Sequence, residues 1–266
     1  MTKNSPSQEK FKLDVRNLSK SFGDKVVLDN LSIKVKEGES LVIIGASGTG
    51  KSVFIKTILG ILHEDHGEIF VDGEDVTKLS ARNRLGVMKK FGMLFQGGAL
   101  FDSLSVWQNV AFSLLQGTTK SGIKMNKRDA KELAIAKLHA VNLSADDADK
   151  YPSELSGGMQ KRVALARAIA GQPDIIFFDE PTTGLDPITA TTINHLIRDI
   201  VKDLGITSVA ITHDMGSVRS ISDRVALLHQ GGIVWQGPTA ELDQTDNPYV
   251  HQFIHGLPDG PMKISF

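Results

Sequence analysis

The run "GASGTGKS", Gly45 to Ser52, constrains the fold of this chain more than any other. It follows the apolar stretch "LVII" (Leu41 to Ile44) directly and opens into "VFIKTIL". A buried strand, a glycine-rich turn and a helix in that order make a phosphate loop. Gly45 and Gly50 let the backbone wrap closely around a triphosphate. The amides of Ala46, Ser47, Gly48 and Thr49 and the helix N-terminus then face its charge. Lys51 adds a cation for the β and γ phosphates, and Ser52 a hydroxyl for Mg²⁺.

The rest of the chain fits an α/β sandwich. "IIFF" (Ile175 to Phe178) and "SVAI" (Ser208 to Ile211) are continuous apolar runs like "LVII", as parallel strands covered on both faces require. From Phe11 to Val35 the period is two: Phe11, Leu13 and Val15 share one face, as do Leu31, Ile33 and Val35. That pattern predicts antiparallel, half-exposed strands. Strand signals vanish between about Leu100 and Gln172, and "NKRDAKELAIAKLHAVNL" has helical spacing, with Asn126 as N-cap and Asp129 in the first turn. Residues 101–169 therefore read as a helical subdomain inserted into the sheet's connectivity. Residues 1–10 read as a flexible N-terminus, 11–245 as the folded domain, and 246–266 as a tail. In that tail "HGLPDGP" can be neither helix nor central strand.

Composition excludes several classes. Lys plus Arg total 30 against 31 for Asp plus Glu, so no global basic field points to nucleic acid. Cysteine is absent, which removes disulfide, thiolate-metal and cysteine-nucleophile chemistry. The opening "MTKNSPSQEK" lacks the apolar core of a secretory signal, and no window approaches ~18 uninterrupted apolar residues. The expectation is a chain that stays in the cytoplasm and reaches a membrane only through another protein.

Three further features fall at predicted strand ends, where open parallel sheets bind ligands. "IIFFDEP" places Asp179 and Glu180 side by side: one carboxylate suits a hydrated Mg²⁺, the other an attacking water. Away from a phosphate loop the same pair would serve as a helix cap. His213 closes "SVAITHD"; alone it is as well explained by structure, beside Asp179 it suits a γ-phosphate contact. Gln96 ends the strand-like "MLFQ" before a glycine pair. A second anion-binding turn, "LSGGMQKR" (Leu155 to Arg162), pairs Ser156 as N-cap with the open amides of Gly157 and Gly158.

Taken in order, Gly45 to Ser52, Gln96, "LSGG", "FFDEP", "TGLDP" (Thr183 to Pro187) and His213 resemble the ATPase subunit of an ATP-binding cassette (ABC) transporter, from about Phe11 to Gly237. The resemblance implies a cassette with an N-terminal antiparallel β subdomain, ATP and Mg²⁺ as cofactors, and two copies head to tail. The phosphate loop of one copy would then face Ser156, Gly157 and Gly158 of the other. It implies catalysis by Glu180, His213 and Gln96, and Mg²⁺ held by Ser52, Gln96 and Asp179. Leu185 and Asp186 would touch the partner's phosphate loop, and Phe22 would stack on adenine where tyrosine is more usual. The fifth signature position, commonly glutamine, is Met159, and the phosphate-facing positions are intact.

The stretches "FQGGALFDSLSVWQNV", "LSGGMQKRVALARAIA" and "FIHGLPDGP" are similar to cassettes of the Mla type, which serve MCE-domain phospholipid transporters. This implies a multi-spanning permease, a STAS-domain protein and an MCE-domain lipid-binding protein as partners, with the chain on the cytoplasmic face of the inner membrane. The apolar Ala99, Leu100, Phe101, Leu104 and Trp107 then divide between subdomain core and a permease groove, and Ile264 and Phe266 would dock on a neighbouring subunit. The open alternatives are a cassette for another substrate and a non-transport ABC ATPase. The coiled coils of the chromosome-associated kind are missing, since the chain has no sustained heptads.

Overall fold

In the computed structural model residues 10–263 are described. Residues 1–9, and Ile264 and Phe266, lie outside them. β1 (Phe11–Phe22) and β2 (Lys25–Lys36) pair as a hairpin, and β3 (Ser40–Ile44) runs through the glycine loop into α1 (Lys51–Ile58). Then follow β4 (His66–Val71), β5 (Glu74–Asp75), α2 (Ala81–Met88) and β6 (Phe91–Leu94). Helices α3 (Val106–Val110), α4 (Phe112–Gln116), α5 (Lys127–Ala140) and α6 (Gly157–Ala170) precede β7 (Ile175–Asp179). The chain continues through α7 (Pro187–Leu204), β8 (Thr207–Ile211), α8 (Met215–Ile221), β9 (Arg224–His229), β10 (Gly232–Pro238) and α9 (Pro248–His255).

Two sheets result. The smaller is antiparallel, in the order β2-β1-β4-β5; the larger runs β10-β9-β3-β8-β7-β6 and is parallel except for the β9–β10 hairpin. The continuous apolar runs are explained by what covers them. Leu41 and Ile43 of β3 enter one core with α1 and the small sheet, while Val42 and Ile44 enter a second core with α6 and α7. β7 divides Ile175 and Phe177 from Ile176 and Phe178 in the same way. With both faces buried, the runs Leu41–Ile44 and Ile175–Phe178 are apolar throughout, and the polar residues Ser40 and Asp179 fall at the strand ends. Burying each phenylalanine contributes roughly 1.5–3 kcal/mol.

The helical region matches its pattern: the Asn126 side chain accepts from the Asp129 amide at 3.0 Å, and Ala130, Ala134 and Leu138 are buried. Two expectations are corrected. β1 is not half exposed at its start, because Lys12 and Asp14 are buried on the face opposite Leu13 and Val15. Ion pairs make this possible: Lys12 meets Asp72 at 2.8 Å, and Arg16 meets Asp14 at 2.7 Å. Residues 246–266 do not begin as a tail. Asn247 caps α9, Pro248 occupies its first turn, and Val250 is fully buried in the second core. Beyond α9 the described residues, up to 263, form no helix or strand, yet the chain folds back. The buried Gln252 side chain accepts from the Met262 amide at 2.7 Å and donates to its carbonyl at 3.0 Å. No helix among the described residues is long and apolar enough to cross a membrane.

Gln252→Ala leaves both Met262 backbone groups without their partner, which costs about 1–3 kcal/mol. Hydrogen exchange at Met262 is expected to accelerate while β3 stays protected. Unchanged protection at Met262 would show that Gln252 does not hold the fold-back.

Candidate functional site

The ends of β3, β6, β7 and β8 converge at one edge of the large sheet. A cleft of about 480 Å³ there is lined by Phe22, Ser47, Gly48, Gly50, Lys51, Ser52, Gln96, Glu180 and His213. Residues remote in sequence thus meet because the parallel strands deliver their C-terminal ends to the same side.

The loop has its glycines where a side chain would not fit. A Cβ at Gly45 would run into the carbonyl oxygen of Leu228, and one at Gly50 would lie 2.8 Å from that of Val27, where φ is also +104°. Lys51, which opens α1, is buried and donates to the carbonyls of Gly45 (2.6 Å) and Ala46 (3.0 Å). Burial pushes its pKa down, against the pull of Glu180 and Asp179. The Asp179 carboxyl moves the other way: burial raises it and neighbouring Glu180 adds to the effect, with Lys56, Lys51 and Lys161 opposing. Lys51 and the two carboxylates are thus close enough to influence one another's charge.

Glu180 sits on a left-handed backbone, φ 49°. For a non-glycine residue this strain is of order 1–3 kcal/mol and persists only when the surroundings fix it. Its amide donates to the Ile211 carbonyl at 2.9 Å. Its Oε2 accepts from Thr183 Oγ1 (3.1 Å) and Thr212 Oγ1 (3.2 Å), and Oε1 lies 2.9 Å from His213 Nδ1. The Thr212 hydroxyl also accepts from the Asp214 amide at 3.1 Å, so its single proton is left for Glu180. With Glu180 ionised, His213 donates through Nδ1 and keeps Nε2 as the free ring position. Such a carboxylate is aimed, not loose, and is suited to orienting a water.

Ser156, Gly157, Gly158 and Asp186 are not among the residues lining this cleft. Ser156 caps α6 through the Met159 amide (3.3 Å), and Ser156 and Gly157 are exposed. Asp186 caps α7 through the Ile188 and Thr189 amides, both at 3.0 Å, and the Thr189 bond holds its carboxyl below the usual range. Of the apolar segment, Leu100, Leu104 and Trp107 are half buried, whereas Phe101 is exposed against Phe112 with ring centroids 4.7 Å apart. Thr183 and Thr212 were not singled out by the sequence, and neither was Lys161, which is buried and donates to the Gln96 carbonyl. Burial lowers the pKa of that lysine.

The family model described as ABC transporter matches residues 28–183, more than half of the chain. The chain belongs to the ABC transporter family. The cassette is accordingly an ATP-binding, ATP-hydrolysing transporter subunit. It is 41% identical over 254 residues to the intermembrane phospholipid transport system ATP-binding protein MlaF of Haemophilus influenzae, covering 96% of this chain and 94% of that one. It is 38% identical to the probable ribonucleotide transport ATP-binding protein mkl of Mycobacterium leprae, over 95% of this chain and 71% of the relative. Among solved structures, a dimeric cassette, MJ0796, matches with a TM-score of 0.77 at 30% identity, over 85% of this chain and 98% of that one.

Thr212→Val removes one donor to a charged group without changing shape, a loss of about 1.5–3 kcal/mol. Turnover of the cassette should fall roughly tenfold or more, with the ATP KM within about twofold and recovery in Thr212→Ser. Wild-type kcat in the valine variant would remove Thr212 from the support of Glu180.

Proposed function

We propose that two copies of this chain close head to tail around two ATP and drive phospholipid transport between the inner and outer membranes. In this reading the loop Gly45 to Ser52 holds the phosphates, Phe22 stacks on adenine, and Ser156, Gly157 and Gly158 complete the site on the partner copy. Glu180 orients the attacking water, and His213 holds Glu180 and reaches the γ-phosphate. Leu185 and Asp186 couple the two sites. The observation that carries this reading is the division just described: a full phosphate cleft on one side and an exposed, capped anion-binding turn that does not line it.

Ser52, Gln96 and Asp179 are the residues that would hold Mg²⁺. Hydroxyl, amide and carboxylate oxygens make a hard donor set suited to it, and Ser52 and Gln96 line the same cleft. No group of three or more His, Asp or Glu that could hold a metal occurs among the described residues. That fits an ion whose remaining ligands are phosphate and water oxygens. When bound, the ion neutralises developing phosphate charge.

The substrate reading rests on the similarity to MlaF along nearly the whole of both chains. In this reading the chain would sit at the cytoplasmic face of the inner membrane, bound to a multi-spanning permease, with a STAS-domain and an MCE-domain protein in the complex. The name of the mycobacterial relative favours a second reading, a cassette serving another substrate such as a ribonucleotide. Purifying the assembled complex and identifying bound molecules by mass spectrometry separates the two. Phospholipid is the expected finding; nucleotide cargo with no lipid would favour the second reading.

Glu180→Gln keeps the side chain's shape and removes its charge. We expect ATP binding and ATP-dependent pairing of two chains to persist while turnover falls by a factor of at least about 10². Normal steady-state hydrolysis by that variant would remove Glu180 from the role of orienting water.

A further inference from the structure

Lys161 is a buried cation without a part in the roles assigned above. It lies in the first turns of α6, the helix that opens on the exposed Ser156–Gly158 turn, and is 6% exposed. Its ammonium donates to the backbone carbonyl of Gln96 and sits near enough to Asp179 and Glu180 to feel both carboxylates. Farther along α6, Arg167 donates to the carbonyls of Gly98 and Ala99, each at 2.6 Å. Gly98 and Ala99 both take left-handed backbone, φ 75° and 48°, so the chain turns sharply just after Gln96. A Cβ on Gly98 would lie 3.6 Å from that of Ala164, which shows how closely the turn rests on the helix. The segment leaving β6 is thus clamped to α6 at three carbonyls, those of Gln96, Gly98 and Ala99, by two cations.

Burying an ammonium is costly unless it is bonded and faced by opposite charge. A methionine would fill the same space without that cost. What lysine adds is a charge-assisted bond to one particular carbonyl. We propose that Lys161 is a positioning residue for Gln96, tying its backbone to the helix that presents the signature turn. The metal side of one ATP site is then set by the same rigid helix that completes the other site. This inference rests on the role given to Gln96 above.

A double-mutant cycle on the full-length chain tests it, with Lys161→Met and Gln96→Ala made singly and together and ATP hydrolysis measured at steady state. Lys161→Met is expected to lower kcat roughly tenfold with the ATP KM within about twofold, and Lys161→Arg to restore most of the loss. Because Lys161 acts through Gln96, adding Lys161→Met to Gln96→Ala should cost nothing further. Losses that multiply, or a wild-type kcat in Lys161→Met, would overturn the inference while leaving Gln96 in its role. A wild-type kcat in Gln96→Ala would overturn the role of Gln96 and this inference with it. If Lys161→Met does not fold, Lys161→Gln keeps a donor without the charge, and the same non-additivity is required of it.

Discussion

The site depends on the burial of β3, β7 and β8 on both faces. Their alternate side chains feed two separate cores, so none of these strands can slide or flip without moving apolar residues into water. Parallel pairing then fixes register: Asp179 lies opposite Ile211, and Ile43 opposite Ile211 on the other side. From that register alone Glu180 meets Thr212 and His213, and the glycine loop stands beside them. The strained backbone of Glu180 is tolerated because the flanking strands and three side-chain donors leave it no alternative.

At the cleft the buried Lys51, with the buried Lys161 nearby, stands close to the half-buried Asp179 and Glu180, an arrangement that suits a highly charged ligand. Lys51 and Lys161 are depressed by burial and Asp179 is raised by it, so each group is less content alone than in company. A polyphosphate brings charge to such a place, and Ser47, Gly48, Gly50 and the first residues of α1 line it. The signature turn opens α6 and does not line the chain's own cleft. One helix therefore serves two functions, presenting Ser156 to Gly158 at its end and holding residues 96–99 along its flank.

Much of this is legible in the sequence alone. The runs Leu41–Ile44, Ile175–Phe178 and Val209–Ile211 stand out because strands buried on both faces send uninterrupted apolar side chains into two cores. The glycine loop, Asp179, Glu180 and His213 stood where the apolar runs ended. The β9–β10 hairpin was not singled out, since the residues of β10 from Gly232 to Val234 and Trp235 are only half buried and their pattern is correspondingly mixed. Helix α9 falls within the expected tail because the glycines and prolines of "HGLPDGP" dominate that segment; they begin at Gly256, the C-cap of α9, and Pro248 occupies its first turn. The threonines that aim Glu180 carry no signal of their own; their role exists only once β7 and β8 are in register. Lys161 is one of two adjacent cations in "MQKR", and only packing distinguishes it from the less buried Arg162.

The central claim is that the cleft of one chain is completed by the signature turn of another. Mixing a Lys51→Ala chain with a Gly157→Asp chain tests it most directly, since each parent homodimer has both sites broken. In a mixed pair one site joins the intact loop of the Gly157→Asp chain to the intact turn of the Lys51→Ala chain. Hydrolysis should therefore appear in the mixture and in neither parent. A mixture as inactive as its parents, with mixed pairs shown to form, would contradict the account.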